Sequence, residues 1–156
     1  MQFSSLMRRF GAAAALIGAC GLWTGAVAQT AAQPRLDTIT IGAGMQNIRA
    51  EVARTSLQMQ TGMMFRREMG THEGMLFAYD YPSIHCFWMK NTLLPLSIAF
   101  IADDGSIVNI ADMQPQSETR HCSKQPVRFA LEMNQGWFAK RNIQAGFKLK
   151  GAPFAP

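Results

Sequence analysis

The polar residues best suited to bind a ligand interrupt the most apolar stretch that follows the first thirty residues, residues 84–100. Lys90 and Asn91 closely follow Trp88 within this stretch. Lysine supplies a point charge with three donors, and asparagine supplies both donors and an acceptor. Polar groups of this kind beside aromatic walls are typical of sites for small polar ligands. Three residues elsewhere would complete such a site with two opposite charges and a second aromatic wall: Arg66, Glu132 and Trp137.

A second interpretation of the same stretch needs no ligand. Asparagine and threonine side chains hydrogen-bond to the backbone at turns, so Asn91 and Thr92 would form a bend. Lys90 would then lie in solvent. The sequence leaves both interpretations open.

Two His-Cys dipeptides and 11 methionines raise the question of a metal site. Neighbouring residues on a strand point to opposite faces, so neither His85-Cys86 nor His121-Cys122 would chelate alone. Neither matches a zinc spacing such as Cys-x2-Cys. Methionine thioethers suit copper(I), but these methionines fall in apolar patterns, where methionine fills gaps in a core. We therefore expect no metal and no cofactor, and copper binding is kept as an alternative function.

The sequence offers little for catalysis. It contains no Gly-x-Ser-x-Gly elbow and no His-Glu-x-x-His helix. A nucleophile pair would need Cys122 activated by His85 or His72. We therefore expect binding rather than catalysis, and a hydrolase acting on cell-envelope material is the enzyme alternative.

The N-terminus is typical of a cleaved secretory signal. Arg8-Arg9 precede an uncharged apolar segment, residues 10–23, and Ala26-Val27-Ala28 provides an Ala-x-Ala cleavage site. The apolar segment is shorter than the roughly 20 residues that span a bilayer. We therefore expect a periplasmic or secreted protein that begins at Gln29 and has no membrane span. Cys20 leaves a lipoprotein as the alternative.

Export would place the two remaining cysteines in an oxidising compartment. Cys86 and Cys122 form an even set after cleavage, and such sets often pair in exported proteins. The sequence does not show whether their Cα atoms approach within about 7 Å. A disulfide and two unreactive thiols both remain open.

Charge argues against a nucleic-acid partner. The formal net charge is +5, and Arg8 and Arg9 of the signal contribute two of the positive charges. The remaining charges are evenly spread, with no long basic run.

The pattern divides the chain into a signal peptide (1–28), a flexible leader (29–37), one domain (38–150) and a tail (151–156). Period-two alternation predicts about seven or eight short strands. Helices are expected from Thr55 and over residues 135–141. The predicted fold is α+β and mainly β, a compact, mostly antiparallel, barrel-like sheet with two short helices.

Several motifs occur in an order typical of one family. They are Gly62-Met63-Met64-Phe65-Arg66, Gly74-Met75-Leu76-Phe77, Phe87-Trp88-Met89-Lys90-Asn91-Thr92, Pro95-Leu96 and Leu131-Glu132-Met133-Asn134. Together they resemble the DUF192 family, also called UPF0127, over about residues 46–150. The resemblance implies a small, single-domain, β-rich fold that is often exported, with no assigned activity. Ser97 and Phe147 stand where the family usually has aspartate, so a mechanism based on those aspartates would not transfer.

Together these patterns predict an exported single-domain protein that binds a small polar or anionic ligand, or a cell-envelope component, without catalysis. The predicted ligand-binding residues are Arg66, Trp88, Lys90, Asn91, Glu132 and Trp137.

Overall fold

The computed structural model describes residues 30–154 of the chain. The predicted signal peptide and the last two residues of the tail lie outside this range. The elements in chain order are β1 Thr38–Ala43, β2 Gln46–Ala53, α1 Ser56–Thr61, β3 Glu73–Ser83, β4 Cys86–Phe87, β5 Leu96–Ile101, β6 Ile107–Met113, β7 His121–Cys122, β8 Val127–Asn134 and a 3-10 helix, Ala139–Arg141.

Six strands form one open sheet in the order β1-β2-β3-β8-β5-β6, and β4 pairs with β7 in a separate two-stranded ribbon. Strands β2 and β3 are parallel, whereas the other pairs are antiparallel. A parallel pair needs a long crossover, and the segment that contains α1 supplies it. The prediction of a mainly β domain is therefore confirmed. The expected barrel-like closure is wrong, because β1 and β6 remain edges of the described sheet, although most of its strand pairs are antiparallel.

Helix α1 begins where the sequence predicts it. The Thr55 side chain accepts from the Gln58 backbone N–H, and the Gln58 side chain accepts in return from the Thr55 N–H. This capping box satisfies two donors at the helix start. The helix ends at Gly62, whose φ of 46° lies outside the helical region. The segment that follows α1 therefore turns back over the sheet.

The second predicted helix is shorter than expected. Gly136 has a positive φ of 75°, and regular structure begins after it as a single 3-10 turn, Ala139–Arg141. The prediction of two short helices over the described residues therefore reduces to one α-helix and one 3-10 helix.

Regular pairing is limited in three segments with strand-like sequences. Within residues 84–89 only β4 is a strand, and β3 continues through Pro82 after a register shift. Residues 147–150 alternate in sequence but make only isolated bridges, Ser106↔Lys148 and Gly42↔Lys150. Side-chain alternation alone therefore does not fix the pairing of these segments.

The sheet separates two apolar cores. Leu131 and Met133 of β8 pack with Trp137 on one face, which we call the Trp137 core. Ala130 of the same strand packs with Phe77 on the other face, which we call the Phe77 core. Successive side chains on a strand point to opposite faces. Glu132 therefore points to the same side as Ala130, towards the Phe77 core.

The segment before β1 is held against the domain. The Gln33 side chain donates to the Gly62 carbonyl at 2.9 Å, and the Leu36 N–H donates to Glu51 Oε2 at 2.8 Å. The sequence predicts a flexible leader over 29–37, but from Gln33 onwards it is hydrogen-bonded in the structure. No helix within residues 30–154 is long and apolar enough to cross a membrane.

Gly74 on β3 gives a test of the packing around β8. An added Cβ would lie 2.6 Å from the Glu132 carbonyl oxygen and 2.5 Å from Met133 Sδ. Since the backbone oxygen lies in the sheet and does not yield easily, Gly74→Ala should destabilise the protein by about 1 to 3 kcal/mol. Urea unfolding followed by tryptophan fluorescence measures this difference.

Gly42→Ala is the matched control, because a Cβ at this strand position would lie 3.6 Å from its nearest atoms. The control should change stability by less than about 1 kcal/mol. Equal effects of the two substitutions would contradict the packing described for β3 and β8.

Candidate functional site

A cavity of about 560 Å³ opens beside the Phe77 core. Its floor is made by Glu132 of β8 and Phe77 of β3. Small-molecule sites typically have volumes of about 300 to 1,000 Å³. The size and the concave shape therefore suit a small ligand. We call it the Glu132 cavity.

Two segments form the walls of the Glu132 cavity. One wall is α1 with the turn that follows it, and includes Met59, Met63 and Met64. The opposite wall runs through β4 to Trp88. The remaining lining residues lie around these walls: Gln60, Thr61, Gly62, Tyr79, Cys86, Phe87 and Thr92.

Glu132 is the buried acid of this cavity. It is 4% exposed and lies on a central strand, opposite Met75 of β3 and Ile98 of β5. Its Oε2 atom has no hydrogen-bond partner among the described residues. Burial raises the pKa of Glu132 to about 8, because an apolar surrounding disfavours the charged carboxylate. At neutral pH the side chain is therefore mainly a neutral carboxylic acid.

Tyr79 brings a second polar group to the same cavity. Burial, and secondly the charge of Glu132, raise the pKa of Tyr79 to about 12. The phenol therefore keeps its proton at physiological pH. Its ring stacks on His85, with centroids 3.5 Å apart and planes 10° from parallel. Burial lowers the pKa of His85, which favours the neutral imidazole.

An aromatic wall stands at the opening of the cavity. The Trp88 side chain is 41% exposed, and Lys90 Nζ lies 5.2 Å from its ring centroid. Deeper in, the Phe87 ring packs edge-on against Phe77 with centroids 4.8 Å apart. The wall thus offers flat apolar faces from the solvent to the floor.

A disulfide joins Cys86 and Cys122, which face each other across β4 and β7. The bridge holds the short ribbon together beside the cavity, since Cys86 is one of the lining residues. The ribbon is also tied by the His85 N–H, which donates to the Ser123 hydroxyl at 3.2 Å. Both cysteine residues are exposed.

The structure brings two of the predicted ligand-binding residues together. Trp88 and Glu132 both line the cavity. Lys90 lies outside the lining, over the Trp88 ring and 3.7 Å from Glu118. Asn91 has a positive φ of 56°, and its carbonyl accepts from the Phe65 N–H at 2.9 Å. Asn91 therefore connects the bend to the segment after α1.

Two other predicted residues lie elsewhere. Arg66 is buried and paired with Glu51 at 2.9 Å. Trp137 is packed in the Trp137 core on the opposite face of the sheet, edge-on to Phe138. The expectation that both tryptophans meet in one hollow is therefore wrong, because β8 sends Glu132 to one face and leads to Trp137 on the other.

Sequence reasoning did not single out the wall formed by α1. The methionines there fit either a core or a copper site by sequence. In the structure Met75, Met89 and Met133 are fully buried, whereas Met59 and Met64 line the cavity. The signal that could have found this wall was the capping box at Thr55, followed by Gly62, which fixes where the segment turns. Within residues 30–154 no group of three or more His, Cys, Asp or Glu is placed to hold a metal ion.

In two other cavities the acidic side chains have protein partners. One, of about 300 Å³, includes Arg35 and Glu51, which pair at 2.8 Å. Another, of about 410 Å³, includes Ser97, whose hydroxyl donates to the Asp112 carboxylate and accepts from the Gly136 N–H. Where relatives usually have an aspartate at position 97, this chain thus places the carboxylate of Asp112, from the neighbouring strand β6. An unpartnered buried acid distinguishes the Glu132 cavity from both.

The raised pKa of Glu132 predicts how stability depends on pH. Between its ordinary value of 4.5 and about 8 the folded protein holds a proton that the unfolded chain releases. Stability should therefore fall as pH rises through this window, by about 1.4 kcal/mol per pH unit. Glu132→Gln should remove this slope in urea unfolding measured from pH 5 to pH 8.

The difference between wild type and variant is the quantity to measure, because the lowered pKa of His85 gives an opposite slope that both proteins share. Glu118→Gln is the control, since the Glu118 side chain is 65% exposed and should leave the slope unchanged. Parallel curves for wild type and Glu132→Gln would show that Glu132 is not protonated as described.

Comparison with known proteins identifies the family. The solved structures that are similar to this chain include the following two. A candidate transcription regulator from Sinorhizobium meliloti 1021 is 34% identical, with a TM-score of 0.69, over 74% of this chain and 92% of that one. A protein of unknown function from Novosphingobium aromaticivorans DSM 12444 is 36% identical, with a TM-score of 0.72, over 80% of this chain and 94% of that one.

No curated protein matches the chain. Residues 38–151 match the family DUF192, described as an uncharacterized ACR. The resemblance seen in the motifs is thereby confirmed, and the chain belongs to the DUF192 family.

Proposed function

We propose that this protein is exported and binds a small polar ligand in the Glu132 cavity, without catalysis. The observation that supports it is a buried carboxylic acid, whose Oε2 has no hydrogen-bond partner within residues 30–154, on the floor of a cavity of ligand size. A ligand that hydrogen-bonds to Oε2 would supply the missing partner.

The energetic cost of Glu132 supports binding over a purely structural role. An unsatisfied buried polar group costs about 1 to 3 kcal/mol. A leucine or methionine at this position would extend the Phe77 core without that cost. Buried unpartnered groups in clefts are therefore candidates for ligand contacts.

The same residues support binding more than catalysis. A hydrolase of the type considered from the sequence needs a nucleophile beside a base. Cys86 and Cys122 are bonded to each other, and Tyr79 keeps its proton at physiological pH. Glu132 remains as a single acid, which suffices to orient a ligand.

The description of the Sinorhizobium relative as a candidate transcription regulator is not carried to this chain. The charge pattern gives no reason to add a nucleic-acid partner, and the Glu132 cavity is shaped for a small molecule.

Trp88 offers the test of ligand binding. A library of small fragments screened by ligand-observed NMR should yield binders to the wild type. Trp88→Ala should weaken them by about 10-fold or more, because a large flat wall of the cavity is lost. The protein should still fold, since this side chain is 41% exposed.

Leu93→Ala is the matched control. Leu93 is also 41% exposed but does not line the cavity, so its loss should change fragment affinity by less than about 2-fold. A screen without binders, or equal losses in the two variants, would argue against a ligand site here.

Export is tested by the mass of the mature protein. Expressed with residues 1–28, the protein should be recovered from the periplasm or medium with Gln29 as its first residue. Ala28→Phe should retain the precursor, because signal cleavage needs a small residue at that position. An uncleaved chain in the cytoplasm would contradict export. A lipid-modified chain that begins at Cys20 would contradict cleavage before Gln29 and would identify a lipoprotein instead.

A further inference from the structure

The lining of the Glu132 cavity contains an acidic residue but no basic one among the described residues. Glu132 is its acidic residue, and none of its lining residues within 30–154 is lysine, arginine or histidine. Tyr79 is neutral at physiological pH, and Cys86 is bonded to Cys122. A bound anion would therefore face a carboxyl group without a positive partner.

The aromatic walls have the same preference. The face of an aromatic ring carries partial negative charge, which attracts cations and repels anions. Trp88, Phe87 and Tyr79 all line the cavity. They add to the effect of Glu132, because each of them disfavours an anionic ligand.

The Trp88 ring already attracts a cation in the structure. Lys90 Nζ lies 5.2 Å from its centroid, within the range of a cation–π contact. Glu118, 3.7 Å from the same ammonium group, lies on the solvent side and is 65% exposed. The Trp88 ring, which lines the cavity, thus already contacts one ammonium group on its exposed side.

We propose that the ligand of the Glu132 cavity carries an ammonium group on a small apolar body. This inference depends on the proposed function, and it names the class of ligand. The ammonium group pairs with the Glu132 carboxylate, and the apolar body packs between Trp88 and the methionines of the α1 wall. An anionic ligand, which the sequence also suggested, does not fit this lining.

Binding of an ammonium group changes the protonation of Glu132. The free protein holds the acid mainly neutral at pH 7, because burial raises its pKa to about 8. A positive charge beside it favours the carboxylate, so the proton leaves to solvent as the ion pair forms. Tyr79 on β3 is the titratable group whose pKa responds to the charge of Glu132, and it keeps its proton at this pH; His85, stacked on Tyr79, has a lowered pKa that favours the neutral imidazole.

Three probes of nearly equal shape separate the ligand classes. They are 1-naphthylmethylamine, 1-naphthylmethanol and 1-naphthoate, which are a cation, a neutral alcohol and an anion at pH 7. Binding to the wild type is measured by isothermal titration calorimetry at pH 7 in phosphate and in Tris. The amine should bind about 10-fold or more tightly than the alcohol, and naphthoate should bind most weakly.

Proton release gives a readout that needs no variant. The two buffers take up protons with different enthalpies, so a difference in observed enthalpy reports the protons released. The amine should release close to one proton per protein, whereas the alcohol should release none. Glu132→Gln should abolish this release and lower amine affinity by about 10-fold or more, with alcohol affinity changed by less than about 2-fold.

The outcomes distinguish this inference from the proposed function. If the alcohol or naphthoate binds as tightly as the amine, or if amine binding releases no proton, the ammonium inference is wrong and ligand binding in the cavity stands. If none of the three probes binds, the ammonium inference is likewise wrong, and the fragment screen with Trp88→Ala then decides the proposed function by itself.

Discussion

The arrangement of the cavity depends on Glu132, a carboxylic acid that is fixed in the interior by its position on a central strand. Glu132 sits on β8, which is hydrogen-bonded to β3 on one side and to β5 on the other. The pairing on both sides fixes the side chain on the face of the sheet that carries the Phe77 core. Since an ionised carboxylate without a partner is costly in an apolar surrounding, the acid is held neutral at the cavity floor. The parallel crossover through α1 then places one wall beside it, and β4 places the other.

Much of the fold follows from local patterns in the sequence. Helix α1 starts at Thr55 because a threonine and a glutamine three residues later satisfy each other's backbone donors. The alternating strands were predicted for the same reason that they form, namely the contrast between two faces of a sheet. On β8 the contrast between faces is weak, because both of its faces are covered and Glu132 is buried among apolar residues. Barrel closure was wrongly predicted because strand order is set by contacts between distant residues, which alternation does not encode.

Some residues of the site were predicted from the sequence, but which of them lie together in the structure was not. Trp88 and Glu132 were chosen by residue type, and the fold brings them to one cavity. Arg66 was chosen by the same reasoning, yet Glu51 neutralises it 2.9 Å away, a partner that no spacing in the sequence indicates. Trp137 lies a few residues after Glu132, but the turn at Gly136 leaves it on the other face of the sheet. Residue type thus identifies candidates, and only the path of the chain decides which of them meet.

The wall that contains Trp88 is held by less regular structure than the rest of the cavity. β4 and β7 contribute two residues each, and so short a ribbon has few backbone hydrogen bonds to keep it in place. The disulfide between Cys86 and Cys122 holds the two strands together by a covalent bond between residues 36 positions apart in the sequence. In a chain-entropy view such a link stabilises the folded state by about 3 to 4 kcal/mol. Disulfides of this kind persist in oxidising compartments. Export, as predicted from residues 1–28, would place the protein in such a compartment and would thereby preserve the bond that fixes the wall.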